Sequence, residues 1–214
     1  FITPGHGLSV SRLPGEFLKG LAMDDAAEMR GQAAWLFGLR GRPDEARTLR
    51  TFLADRDAFV RRRAAEAFTR FNTDTAIPDL IARLSDADRS FRYVAMAALA
   101  HFPSDRWLDK ASAKADPQTA LRALVACEMR REKPPQAVLE GVVARLVLRK
   151  NLAREDRLDL SRVLGLFQSA LGNSKLAGRI AEFLLAGFPD PDRDVRWKQV
   201  RLLGAYRVAP AFPK

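Results

Sequence analysis

The chain of 214 residues is 47% hydrophobic and 29% charged, enough for a substantial core in one large domain or two small ones. No apolar run approaches the ~18 residues needed to cross a bilayer, so no membrane span is expected. The single cysteine, Cys127, excludes an intrachain disulfide, and a net charge of +10, with 28 arginines against 8 lysines, fits either an anionic partner or a solvated arginine-rich surface.

Residues 1–14 place Pro4, Gly5, Gly7 and Pro14 around His6, which predicts an irregular N-terminal segment with His6 in solvent. A short helix is predicted from Pro14 or Gly15 to Ala22. Its partner begins after Asp24 and turns Met29, Ala33, Leu36 and Phe37 inward. Pro43 restarts a helix at its first turn, where a missing N–H costs nothing, and Leu49, Phe52 and Leu53 form its apolar face. The second inner helix is predicted from Asp55 to about Phe71, with a turn at Asn72-Thr73-Asp74. Ile77-Pro78 opens the third outer helix, and its partner runs from Asp86 to just before Pro103. Ser104 is placed to cap a short helix carrying Trp107 and Leu108, and Asp116-Pro117 opens the fourth inner helix, where Cys127 reads as a buried, inert thiol.

Beyond Pro134-Pro135 a longer outer helix carries Val138, Leu139, Val142, Val143, Leu146 and Val147. The fifth inner helix is predicted over Asp156–Leu171, stopped by Gly172-Asn173-Ser174. A sixth outer helix reaches about Leu185, and Pro189-Asp190 leads into the last inner helix, 190–208. Residues 209–214 read as the start of a further, truncated repeat. With no initiator Met or leader-like start, the expectation is an excised piece of a longer protein, which leaves its compartment unread.

One seven-residue phrase, an aspartate followed six positions later by arginine, recurs through these elements. It reads Asp24 to Arg30, Asp55 to Arg61, Asp86 to Arg92, Asp116 to Arg122, Asp156 to Arg162 and Asp190 to Arg196. The starts are 31, 31, 30, 40 and 34 residues apart, the period of helical repeat arrays. Two further pairs, Asp44 with Arg50 and Asp57 with Arg63, fall outside the register. Positions −1, +4 and +7 from the arginine are apolar in most copies and share one stripe of a helix, among them Met29, Leu121, Leu166 and Val200. The pattern predicts an all-α solenoid of about six antiparallel helix pairs. Each phrase aspartate is expected to cap its helix, and each arginine to reach the aspartate of a neighbouring repeat in a structural ladder.

The stretch Leu53-Ala54-Asp55 through Val60-Arg61-Arg62-Arg63-Ala64-Ala65-Glu66-Ala67-Phe68 resembles the HEAT repeat, in particular the short bacterial form named after phycobilin lyases. Asp190 through Val195-Arg196 is similar. The resemblance covers roughly residues 15–208 and implies a right-handed superhelix used mostly as a scaffold for protein contacts. HEAT-type deoxyhypusine hydroxylases hold iron through His-Glu pairs; His6 and His101 here are not followed by Glu. HEAT-like DNA glycosylases work in a basic groove with aromatic residues, for which Trp35, Trp107 and Trp197 are present without a matching motif. HEAT segments also resemble this one in large bacterial proteins, between a dehydrogenase-like propeller and a cytochrome c domain. No Cys-x-x-Cys-His haem site occurs here.

Positions +2, +5 and +9 from each arginine are expected on the concave face. The candidate binding residues there are Trp35, Arg63, Arg70, His101, Arg131, Leu164, Phe167, Leu171, Lys198 and Arg201. If the helix phase is one position out, the apolar members belong to the core instead. No catalytic constellation, metal site or cofactor site is read, so the expectation is a non-catalytic interaction domain. Its partner would be a protein or a neighbouring domain of the same chain. The alternative is a nucleic-acid binder using a basic concave face, with phosphate contacts that weaken steeply with salt.

Overall fold

Short Asp-x-Asp turns set the register of the fold. The computed structural model describes Val10 and residues 13–71 and 73–208. His6, most of the 1–14 segment, Asn72 and the 209–214 repeat start therefore lie outside the described residues. Those described form thirteen α-helices and no strand. The chain divides into two units, Phe1–Trp107 and Leu108–Lys214.

The first unit holds three helical hairpins. Helix α1 (Gly15–Ala22) pairs with α2 (Ala27–Arg40), α3 (Ala46–Thr51) with α4 (Ala58–Phe68), and α5 (Ile77–Ala82) with α6 (Arg89–Leu99). Short 3-10 turns, Phe52–Ala54 and Arg83–Ser85, end α3 and α5. The second helices lie against each other in order, α2 on α4 and α4 on α6. Phe37, Leu49, Phe52, Val60, Phe68, Leu80, Leu84, Phe91 and Leu99 fill the layers between them, each burial contributing about 2 kcal/mol. The Phe37 and Phe52 rings sit 6.4 Å apart, and those of Phe68 and Phe71 5.7 Å apart. Gly38 lets α2 approach α4 closely, because a Cβ there would lie 2.6 Å from the Ala67 Cβ.

The second unit repeats the scheme less regularly. Helix α7 (Leu108–Ser112) packs on α8 (Pro117–Met129), α8 on α10 (Arg154–Leu166), and α10 on α13 (Arg193–Ala205). Helices α9 (Gln136–Val147) and α12 (Ala177–Ala186) are the first members of the later pairs, and a single turn and a bit, α11 (Gln168–Gly172), follows α10. The predicted fifth inner helix, Asp156–Leu171, is thus two helices, broken at Phe167 and starting earlier, at Arg154. Helices α8 and α13 end on residues in the left-handed region, Arg131 (φ 62°) and Arg207 (φ 52°). Their neighbours close the helix ends, Glu132 N–H on Cys127 O and Val208 N–H on Leu203 O.

The capping residues correct the sequence register. The caps of the six second helices are Ala26, Asp57, Asp88, Asp116, Ala153 and Asp192. Asp24, Asp55, Asp86 and Asp190 lie two residues earlier, and each accepts the backbone N–H of the capping residue at 2.8–2.9 Å. The phrase aspartate therefore holds the cap and is not itself the cap, except Asp116, which accepts Thr119 N–H at 2.9 Å. Counted from the cap, the fourth residue is Arg30, Arg61, Arg92, Ala120, Arg157 and Arg196. The eleventh is Phe37, Phe68, Leu99, Cys127, Leu164 and Leu203, all buried. Asp156 and Arg162 are not members of the repeat register; Arg157 is. That five-residue slip is why Leu164, expected on a binding face, lies in the core, and why Leu166, expected in the core, lies outside. Phe167 is likewise the equivalent of the buried Phe71 and Phe102.

Candidate functional site

The arginines at the fourth position do two jobs. Arg30 Nη1 donates to the carbonyls of Asp24 and Asp25 at 2.9 and 2.7 Å, gripping its own helix entry. Its Nε and Nη2 donate to the Asp55 carboxylate of the next repeat at 2.8 and 3.0 Å. The Arg30 guanidinium holds the Asp55 carboxyl below the usual carboxylate range. Arg157 repeats the arrangement, with Nη1 on Leu152 O at 2.8 Å and Nε 2.8 Å from Asp190. Arg61 and Arg92 make the first contact, on Asp55 O and Asp86 O. Arg61 then lies over the Phe91 ring at 5.6 Å, and Arg83 takes Asp86 at 3.5 Å. The ladder is therefore made of discrete rungs, Arg30–Asp55 and Arg157–Asp190. Arg122, two positions further along α8, pairs with the buried Asp159 at 2.8 Å.

The residues expected on a concave face differ in exposure. In the first unit, Arg63 pairs with Glu66 at 3.1 Å and lies 5.5 Å over the Phe59 ring. Trp35 is half-buried on α2, while Arg70 and His101 are exposed beyond the ends of α4 and α6. In the second unit Leu164, Phe167 and Leu171 are buried, which removes the proposed apolar docking patch. Lys198 and Arg201 are three residues apart on α13, the first half-buried and the second exposed, and Arg131 is the exposed left-handed residue after α8.

A concavity lies in the second unit, where the repeat spacing stretches. An open groove of ≈ 1050 Å³ runs between the connection Val147–Ala153 and the end of α12, which contributes Arg179, Glu182, Phe183 and Ala186. Its floor includes the Arg157–Asp190 pair and Gln199. Gln199 Nε2 donates to Gly187 O at 3.0 Å, and its Oε1 accepts the Asp190 N–H at 3.1 Å, so one buried amide fixes the turn that forms the wall. On the rim, Leu148 is 67% exposed beside Arg149, Lys150 and Arg179. The groove thus places an exposed apolar side chain among the cations Arg149, Lys150 and Arg179 and the exposed Glu182. Sequence reasoning missed it; the only signal was the long interval between the fourth and fifth phrases. Among the described residues no three His, Cys, Asp or Glu side chains are grouped so as to hold a metal ion. No described helix is long and apolar enough to cross a membrane.

Stacked helical hairpins with capped second helices and inter-repeat rungs define an α-helical repeat protein. Residues 15–100, the three hairpins of the first unit, match the family model of HEAT repeats. No curated protein matches it. Similar solved structures include an engineered protein, 17% identical, covering 90% of this chain and 96% of that one, with a TM-score of 0.42. Another is human deoxyhypusine hydroxylase in complex with glycerol, 16% identical over 92% of this chain and 87% of that one, with a TM-score of 0.40.

Proposed function

We infer that the chain is a non-catalytic HEAT scaffold that docks a protein segment in the groove of its second unit. The observation that supports this reading over nucleic-acid binding is where the arginines go. Arg30, Arg122 and Arg157 meet carboxylates inside their own units, and Arg61 and Arg92 grip loop carbonyls. A guanidinium so engaged gains little from a phosphate. The exposed cations Lys150 and Arg179 flank an apolar ledge at the groove, the mixture that a protein segment matches.

Two measurements test the proposal. Peptides selected from a displayed random library should share acidic residues beside an apolar one, and Leu148→Asp with Arg179→Glu should abolish their binding. Titration with duplex and single-stranded nucleic acid across a salt series should give only weak, non-specific binding at physiological salt. Tight nucleic-acid binding that survives physiological salt would replace the scaffold reading with the alternative. Peptide binding unaffected by the two substitutions would remove the groove.

A further inference from the structure

Helix α12 turns one stripe into the groove. Arg179, Glu182, Phe183 and Ala186 stand at i, i+3, i+4 and i+7 and all line it. One wall is therefore this helix face, roughly 10 Å long from Arg179 to Ala186. The connection Val147–Ala153 supplies the opposite wall.

The charges on the α12 stripe are open. Arg179 and Glu182 lie one turn apart and both are exposed, yet among the described residues neither side chain has a hydrogen-bond or ion-pair partner. Neighbours of the same order and spacing do close elsewhere, Arg63 on Glu66 at 3.1 Å and Arg83 on Asp86 at 3.5 Å. On the groove floor the polar groups are occupied by one another: Arg157 meets Asp190, and the Gln199 amide is bonded through both its oxygen and its nitrogen. What faces an incoming chain is thus a cation, an anion and the half-buried Phe183 ring along one wall, with Leu148 and Lys150 across from them.

We propose, resting on the scaffold reading, that the docked segment is dipolar. It carries a basic residue for Glu182 besides an acidic residue for Arg179 and Lys150 and an apolar one for Leu148 and Phe183. Alternate side chains on one face of an extended segment are about 6.6 Å apart, close to the roughly 5–6 Å between helix neighbours three apart. The acid and the base therefore stand two positions from each other. A wholly acidic segment sets a like charge against Glu182, and so does a phosphate backbone, so Glu182 selects against both.

Displayed random peptides selected on the full chain test it. The selected peptides should pair a basic with an acidic residue. Replacing the basic residue by glutamate should weaken binding to the parent at least tenfold, and Glu182→Lys should restore it. Glu128→Lys, an equal change of charge on an exposed residue outside the groove, should restore nothing. Circular dichroism melts report whether each variant stays folded. Wholly acidic peptides, or rescue by Glu128→Lys as complete as by Glu182→Lys, overturn the dipolar assignment; if Leu148→Asp still abolishes binding, the groove itself stands. Self-association or nucleic-acid binding that Leu148→Asp abolishes also overturns it, because the groove then has another occupant. Peptides indifferent to Leu148→Asp, or none recovered, remove the groove and this assignment together.

Discussion

Arg30 and Asp55 form a two-pronged bridge between successive repeats, with guanidinium nitrogens 2.8 and 3.0 Å from the two carboxylate oxygens. Both side chains are largely buried, and Asp55 simultaneously holds the N–H of its own helix cap. One carboxylate thus fixes both a helix start and the spacing to the helix before it.

That bridge makes the first unit acid-sensitive. Because the Asp55 carboxyl is held below its ordinary value, its stabilisation is fully present above the unfolded-state value of about 4. It is lost as pH falls through the lower folded value. Asp55→Asn should lower the melting temperature by several degrees at neutral pH. The gap to the parent should close in melts recorded below that range.

Asp88 caps α6 by accepting the Ser90 and Phe91 N–H groups. Asp88→Ala should cost about 1 kcal/mol in urea unfolding, and Asp88→Asn only a fraction of that. Equal losses in the two variants would mean that charge, rather than the accepted hydrogen bond, carries the contribution.

Helix α2 can approach α4 only because position 38 lacks a side chain. Gly38→Ala puts a methyl 2.6 Å from the Ala67 Cβ and 2.9 Å from its Cα, neither of which swings aside. We expect destabilisation of about 1–3 kcal/mol from the overpacking. The clash at Gly31 is with the Phe59 ring, which can rotate, so Gly31→Ala should cost less.

The corrected register of α10 is tested by two leucines two residues apart. Leu164 is fully buried and Leu166 is 47% exposed. Leu164→Ala should lose about 3 kcal/mol and Leu166→Ala less than about 1 kcal/mol. The sequence phase anchored on Arg162 gives the opposite order.

At the groove, Gln199→Ala would leave the Asp190 N–H and the Gly187 carbonyl without their partner. We expect a loss of about 2 kcal/mol, the penalty of unsatisfied buried polar groups. Gln199→Glu keeps an acceptor but loses the donor, and should fall between. Hydrogen exchange at Asp190 should accelerate most in Gln199→Ala.

The helical class, the hairpin count and the repeat spacing were legible in the chain, because a stripe of period 3.6 and a recurring Asp-to-Arg phrase are local signals. They were clearest in the first unit, where Val60, Phe68, Phe91 and Leu99 fall on the expected stripe and are buried. In the second unit the same pattern misled. Asp156 and Arg162 satisfied the spacing by coincidence, while the true equivalents, Ala153 and Arg157, lack the preceding aspartate. Only packing could decide there, since α10 is phased by which of its faces meets α8 and α13. The groove was invisible for a related reason: its walls come from segments some thirty residues apart, joined by the Arg157–Asp190 pair and the Gln199 amide. A sequence determines what each helix wants to bury. Which neighbour it buries that face against, and what the stack leaves open, belongs to the tertiary structure alone.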